Sequence, residues 1–278
     1  MEPRTTYVIA FGLATMIVGL VLLRVASRAA SRLAGDNAAH RFSQVGEVVA
    51  VFLVAGAVAK NCVEGVSLAR DAMFVAAYAA LGFVLVIATG WVSNRALLGG
   101  ALGKEIEKGN TAAGVAAGAH YVATGILVSR AVSGSDLRGL GLSAIFFGLA
   151  LVTLQAFMAL FRALTAYDDA EEIRGENVAA ALSYGGLTVS VSLLVARALE
   201  GDFAGWSVSL KGYAAAVAWV IALYPVRQIL VQSLILGAAP TLRGGKLDAA
   251  IAQDRNLGLA ALEAATYLAT ALGIARLA

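Results

Sequence analysis

The sequence predicts an all-α polytopic membrane protein, with eight transmembrane helices arranged as four parallel-oriented helical hairpin repeats. Three observations lead there. Of the 278 residues, 60% are hydrophobic and 14% charged, against about 25% charged in a soluble domain, and the mean hydropathy is +0.80. Several apolar runs exceed the roughly 18 residues needed to cross hydrocarbon. One phrase also recurs: KEIEKGNTAAG (Lys104 to Gly114), AEEIRGENVAAA (Ala170 to Ala181) and, more weakly, AAIAQDRNLGLAAL (Ala249 to Leu262).

The first span, about 7–23, follows the nearly neutral leader MEPRTT and precedes Arg24, Arg28 and Arg32. A long apolar core with positive charge behind it reads as a retained anchor, not a cleaved leader. The second, 43–63, carries Glu47 and ends on Lys60 and Asn61, two polar residues at a mouth. The third (72–92) and fifth (139–161) are rich in Leu and Phe. The fourth (110–132), sixth (177–199) and eighth (256–277) each open on an Asn, namely Asn110, Asn177 and Asn256. Gly114 and Gly118 form a G-x-x-x-G pair in the fourth, and Gly185 and Gly186 stand at the same level of the sixth. Such residues let membrane helices approach closely, so the even spans read as the inner set and the odd spans as facing lipid. The seventh, 208–236, contains Pro225, which kinks or breaks a helix. Arg227 follows two residues later, which puts the end of that span near Val226 and leaves QILVQSLILG as an interfacial or emergent segment. The runs are too long and too free of polar alternation for strands.

Counting Lys and Arg orients the chain. The termini and the loops after spans two, four and six hold eight, and the other loops hold the remaining thirteen of 21. Positive-inside logic places those thirteen in the cytoplasm and both termini outside. Each hairpin then starts and ends outside, giving repeats of about 1–68, 69–136, 137–204 and 205–278 within one membrane domain.

The repeated phrase has a physical sense. Asn is a favoured N-cap, and Glu105 and Glu172, five residues before Asn110 and Asn177, suit a positive helix end. Twenty residues after each Asn stands an Arg: Arg130, Arg197 and Arg276. At 1.5 Å per residue that is about 30 Å, one bilayer core, so the Arg reads as an anchor that meets the far interface.

The phrase E-I-x-x-G-N-x-A-A, carried by Glu105, Ile106, Gly109, Asn110, Ala112 and Ala113 and again by Glu172, Ile173, Asn177, Ala179 and Ala180, resembles the DUF350 family of bacterial membrane proteins. In the second copy the glycine is displaced to Gly175, two residues before the Asn. The eighth span keeps the Asn without the acidic lead. The second span has no Asn at the equivalent position, where Arg41 or His40 stands. The resemblance implies a multi-pass protein of the bacterial inner membrane, and no biochemical activity comes with it.

Ionisable groups within spans are costly and mark function by default. Glu263 and Tyr184 each lie seven residues after their Asn, and His120 lies ten after its own. If the repeats close around a centre, Glu47, His120, Tyr184 and Glu263 converge on one inward face as an ion or proton path. The leading expectation is a proton or small-cation transporter or channel. The alternative is a non-catalytic membrane scaffold that recruits envelope or stress-response partners through its cytoplasmic loops. A conduit requires Glu263 and His120 to share a hydrated cavity, whereas a scaffold does not. Two histidines and one cysteine, with no H-E-x-x-H, G-x-S-x-G or phosphate loop, point away from an enzyme, a metal site or a cofactor. The dispersed basic residues leave no nucleic-acid footprint. The partners expected are the lipid bilayer, a further copy of the chain and a cytoplasmic protein.

Overall fold

The computed structural model describes residues 3–34, 37–201 and 203–277. Among them there is no strand, and eight helices are long and apolar enough to cross a membrane. The long helices are α1 (Pro3–Ala34), α2 (Ala38–Cys62), α3 (Leu68–Leu98), α5 (Thr111–Ala131), α6 (Leu137–Leu164), α8 (Val178–Arg197), α9 (Trp206–Ile235) and α11 (Leu257–Leu277). Three short helices, α4 (Leu102–Glu107), α7 (Asp169–Arg174) and α10 (Lys246–Ala252), precede α5, α8 and α11.

The helix α9 does not end near Val226. It runs on through Ile235 by changing its hydrogen-bond pattern, with a 3₁₀ stretch at Ala218–Ala222, an α turn at Leu223–Arg227 and a π stretch at Gln228–Ile235. Pro225 supplies the reason, because it has no N–H to give to the preceding turn. Arg227 is therefore carried inside the protein, 1% exposed, rather than to an interface.

The helices α2, α5, α8 and α11 stand in a row, α2 on α5, α5 on α8 and α8 on α11. They do not close into a ring, so α2 and α11 lie at opposite ends. Counting from the Asn that opens each helix, every joint sets a small residue at position nine against one at position eight of the next. The pairs are Gly46 with Gly118, Ala119 with Gly185 and Gly186 with Ala264. A Cβ on Gly46 would collide with the Gly118 carbonyl, and one on Gly186 with Ala264. This is close approach of backbones in a setting where apolarity alone drives no association. The odd helices lie along the flanks: α1 on α2, α3 against α2 and α5, α6 against α5 and α8, α9 against α8 and α11. Ile9, Leu13 and Ile17 of α1 and Ile145 and Val152 of α6 stay exposed, as lipid-facing residues do. Only α5 and α8 are inner helices. The end members α2 and α11 leave one side uncovered, and Val45, Ala261, Ala265 and Ala269 are exposed there.

Candidate functional site

The recurring Asn performs two jobs at once. The Oδ1 atoms of Asn110 and Asn177 accept from the backbone N–H groups of Ala113 at 3.0 Å and Ala180 at 3.2 Å, capping α5 and α8. Their Nδ2 atoms donate across the row, from Asn110 to the Ile173 carbonyl at 2.8 Å and from Asn177 to the Ile251 carbonyl at 2.9 Å. Asn37 does the same for α2: it caps through His40 N–H at 2.8 Å and donates to the Ile106 carbonyl at 3.0 Å. So α2 also opens on an Asn, at position 37 and not at 40 or 41. The helix begins before the apolar run does, which hid the register. Asn256 caps α11 through Leu259 N–H at 3.0 Å, but it ends the row and is exposed.

Glu105 and Glu172 steady these caps, accepting from Asn110 Nδ2 at 3.4 Å and Asn177 Nδ2 at 2.8 Å. Lys108, 2.7 Å away, is the main cause holding the Glu105 carboxyl below its ordinary range. The residues before Asn110, Asn177 and Asn256 take a left-handed conformation, Gly109 at φ 91°, Glu176 at φ 61° and Arg255 at φ 51°. So the displaced glycine of the second copy is no shift of the turn, and Glu176 fills the glycine's place. At the far end, Arg130 and Arg197 both pair with Glu200, at 3.0 and 2.8 Å, and Arg197 Nε donates to the Ala275 carbonyl of α11 at 3.3 Å. These arginines tie neighbouring C-termini together, while Arg276 is exposed. Asn61, read as part of a mouth, donates to the Val132 carbonyl at 2.8 Å and does the same tying for α2 and α5.

The most heavily charged site is one that sequence reasoning only half found. Glu263 is 1% exposed; its Oε1 accepts from Arg227 Nε at 2.6 Å, and its Oε2 accepts from the Ser183 hydroxyl. Arg227 Nη2 also donates to Asp248 Oδ1, and Asp248 Oδ2 accepts from the Ala166 N–H at 2.7 Å. One guanidinium is thereby shared by two buried carboxylates. Asp169, at the start of α7, is 4% exposed and 3.5 Å from Arg162 Nε. Burial pushes its carboxyl up to about 7; the negative charges of Glu263, Asp168 and Asp248 add to this and Arg162 opposes it. Burial likewise raises the Tyr167 phenol, with Glu263 and Asp169 contributing.

His120 and Tyr184 form a second polar contact, Nε2 to hydroxyl at 2.8 Å in the α5/α8 joint. Position seven after the Asn faces the preceding helix in both cases: Tyr184 meets His120 of α5, and Glu263 meets Ser183 of α8. The expected convergence of four residues does not occur. Glu47 is half-buried beside Arg24 and Leu20 of α1, hydrogen-bonded to Ser43. His120 and Glu263 lie in different joints and share no cavity, because helices in a row have no common centre. The residues missed were Arg227, Asp248, Asp169 and Ser183. Arg227 carried a usable signal, a cation flanked on both sides by apolar sequence, since such a charge must find partners. Among the described residues, no three His, Cys, Asp or Glu side chains gather in a way suited to a metal ion.

The model of the family described as Domain of Unknown Function (DUF350) matches residues 3–132 and again residues 135–277. A UPF0719 transmembrane protein from Aquifex aeolicus (strain VF5) is 28% identical over 178 residues, or 61% of this chain, and the chain spans 62% of that relative's length. No solved structure matches.

Proposed function

The chain belongs to the DUF350 family of transmembrane proteins, and for this member we propose proton handling within the membrane, as a proton or small-cation transporter or channel centred on Arg227, Asp248 and Glu263. The observation that carries the reading is the charge count. Asp248 and Glu263 share the single guanidinium of Arg227, so this buried cluster holds two carboxylates against one cation. A buried site that is short of one positive charge is neutral only after taking up a proton or a cation. Asp169, with its carboxyl near 7 and in electrostatic reach of Glu263 and Asp248, is the exchange partner on the side of the Asn caps. The site is taken as non-enzymatic.

The test is flux in proteoliposomes. Purified protein with a pH-sensitive dye inside is given a proton gradient of each polarity, with potassium and sodium present or absent. Wild type is expected to dissipate the gradient and Glu263→Gln to do so far more slowly. Folded wild type that leaves the gradient intact under every ion condition ends the reading.

One observation favours the alternative scaffold reading: His120 and Glu263 do not share a cavity, as a conduit through both would require. Absence of flux, together with capture of a soluble protein by the exposed loops, would establish that reading instead.

The division into four hairpin units, about 1–68, 69–136, 137–204 and 205–278, is supported by the successive Asn-to-Ile bonds and by the two-fold match of the family model. Both termini are placed outside the inner membrane on the Lys and Arg count. A reporter active only outside the cytoplasm, fused after the last residue, tests this and must be active. Self-association through α11 follows from its uncovered Ala261, Ala265 and Ala269. Ala265→Cys in a Cys62→Ser background should cross-link to a second copy in membranes, and a chain that stays uncross-linked under oxidation speaks against it.

A further inference from the structure

At the level where Tyr184 and Glu263 fill their joints, the α2/α5 joint is empty. The residue seven after Asn110 is Ala117, which is too short to reach across to Ser43 of α2. A cavity of about 130 Å³ lies there, walled by Ser43, Gly90, Ser93, Leu102, Ala117, His120, Tyr121 and residues of α4. Two of its wall atoms are buried polar groups without a partner, Ser93 Oγ and His120 Nδ1. Ser93 is 1% exposed and His120 3% exposed. The other ring nitrogen of His120 is already engaged by Tyr184. A hydroxyl and an imidazole nitrogen without a partner at this depth each cost free energy. The cavity wall is mostly apolar, but it gathers Ser43, Ser93, His120, Tyr121 and Thr124, whose polar groups give a few waters enough partners.

We propose that this cavity is a hydrated compartment inside the membrane that binds a cluster of water between Ser93 and His120 and thereby joins Glu47, through Ser43, to the His120–Tyr184 pair. Water is the occupant that suits both orphan groups, because it donates and accepts alike, whichever nitrogen of His120 carries the proton. An apolar occupant such as a lipid chain would leave both unpaired. The compartment is distinct from the Arg227 cluster, which lies at the α8/α11 joint at the other end of the row. It supplies the proposed proton chemistry with a second place where a titratable ring meets water, and to that extent it rests on the proton reading.

The chain has two histidines, so His40→Gln leaves His120 as the single imidazole. In ¹⁵N-histidine-labelled His40→Gln protein in lipid, magnetisation transfer from water to the ring nitrogens is measured by solid-state NMR. The expected result is direct transfer to Nδ1 in this background and its loss when Ala117→Leu fills the cavity, with the Nε2 hydrogen bond to Tyr184 preserved. Ser93→Ala, a milder change that keeps the space, should retain the transfer. No transfer to His120 in the otherwise unaltered background, or equal transfer after Ala117→Leu, overturns the proposal. A dry cavity in a protein that still carries flux removes the compartment alone. A hydrated cavity without flux removes the proton reading and leaves the water site standing.

Discussion

Removing Arg227 is the sharpest perturbation the structure offers. The guanidinium lies with its partners at 1–2% side-chain exposure and binds Asp248 and Glu263 together. Arg227→Met keeps the length and apolar volume of the stem but leaves two carboxylates sealed in the protein, with only the Ser183 hydroxyl and the Ala166 N–H to serve them. Breaking a buried ion pair from one side costs about 3–5 kcal/mol, whereas replacing the whole set by neutral groups of similar size is often close to neutral. The single variant should therefore lose about 3–5 kcal/mol, and the triple variant Arg227→Met, Asp248→Asn, Glu263→Gln should recover most of that loss. Unfolding by denaturing detergent, followed by tryptophan fluorescence, reads largely the same helix, since two of the three tryptophans, Trp206 and Trp219, stand on α9 and the third, Trp91, on α3. A single variant within about 1 kcal/mol of wild type would show that the guanidinium compensates little. A triple variant no more stable than the single one would show that charge is not what Arg227 supplies. Either result refutes the reasoning, because the loss must be large and must be reversed by removing the orphaned charges.

Other outcomes follow from the same structure. Asn177→Ala removes both a cap and a bond across the row, so it should cost about 2 kcal/mol; Asn256→Ala removes only a cap and should cost about 1 kcal/mol. Equal losses by the same unfolding assay would deny the cross-row bond its weight. Glu176→Gly relieves a left-handed conformation and should raise stability by up to about 1 kcal/mol, with no gain counting against strain at that turn. The Asp169 carboxyl sits at about 7 in the folded protein against 3.8 unfolded. The folded state then binds the proton more tightly, so the Asp169 contribution to stability is fully present below pH 3.8, falls as pH rises to about 7 and is flat above that. By linkage its size has a ceiling of about 4 kcal/mol. Asp169→Asn should flatten the stability profile between pH 4 and 7, and an unchanged slope would place the titration elsewhere.

The eight spans were legible because the bilayer imposes one length and one composition on all of them. The Asn caps were legible too, since the chemistry of a helix start is local. Asn37 escaped because α2 starts with a polar turn, AAHRF, and apolar periodicity cannot see that turn as membrane helix. The row was not legible. Gly46, Gly118, Gly185 and Gly186 announce close approach but not which helix approaches which, so a ring and a row read alike. Arg227 was misread for a similar reason. A proline predicts a local break, whereas the helix continues past Pro225 in 3₁₀ and π stretches, and the carboxylates that receive the guanidinium stand on α10 and α11, far along the chain.

The row also decides where a charge could move. In a ring of helices the polar residues at one level would meet on an axis, and a single path would serve all the repeats. In a row each joint is a separate seam, and at one depth the three joints hold different contents: a cavity beside Ser43 and Ala117, the His120–Tyr184 contact, and Ser183 with Glu263. The polarity of the joints rises from the α2 end towards α11. The last joint holds the charged cluster, in which Glu263 meets Arg227 and Ser183, and Tyr267 lies buried one helical turn beyond Glu263. On the proposed proton reading, the path would pass Glu263 in the α8/α11 joint within each chain. Its rate per chain should not depend on how many chains associate, which separates this architecture from a pore built on a symmetry axis.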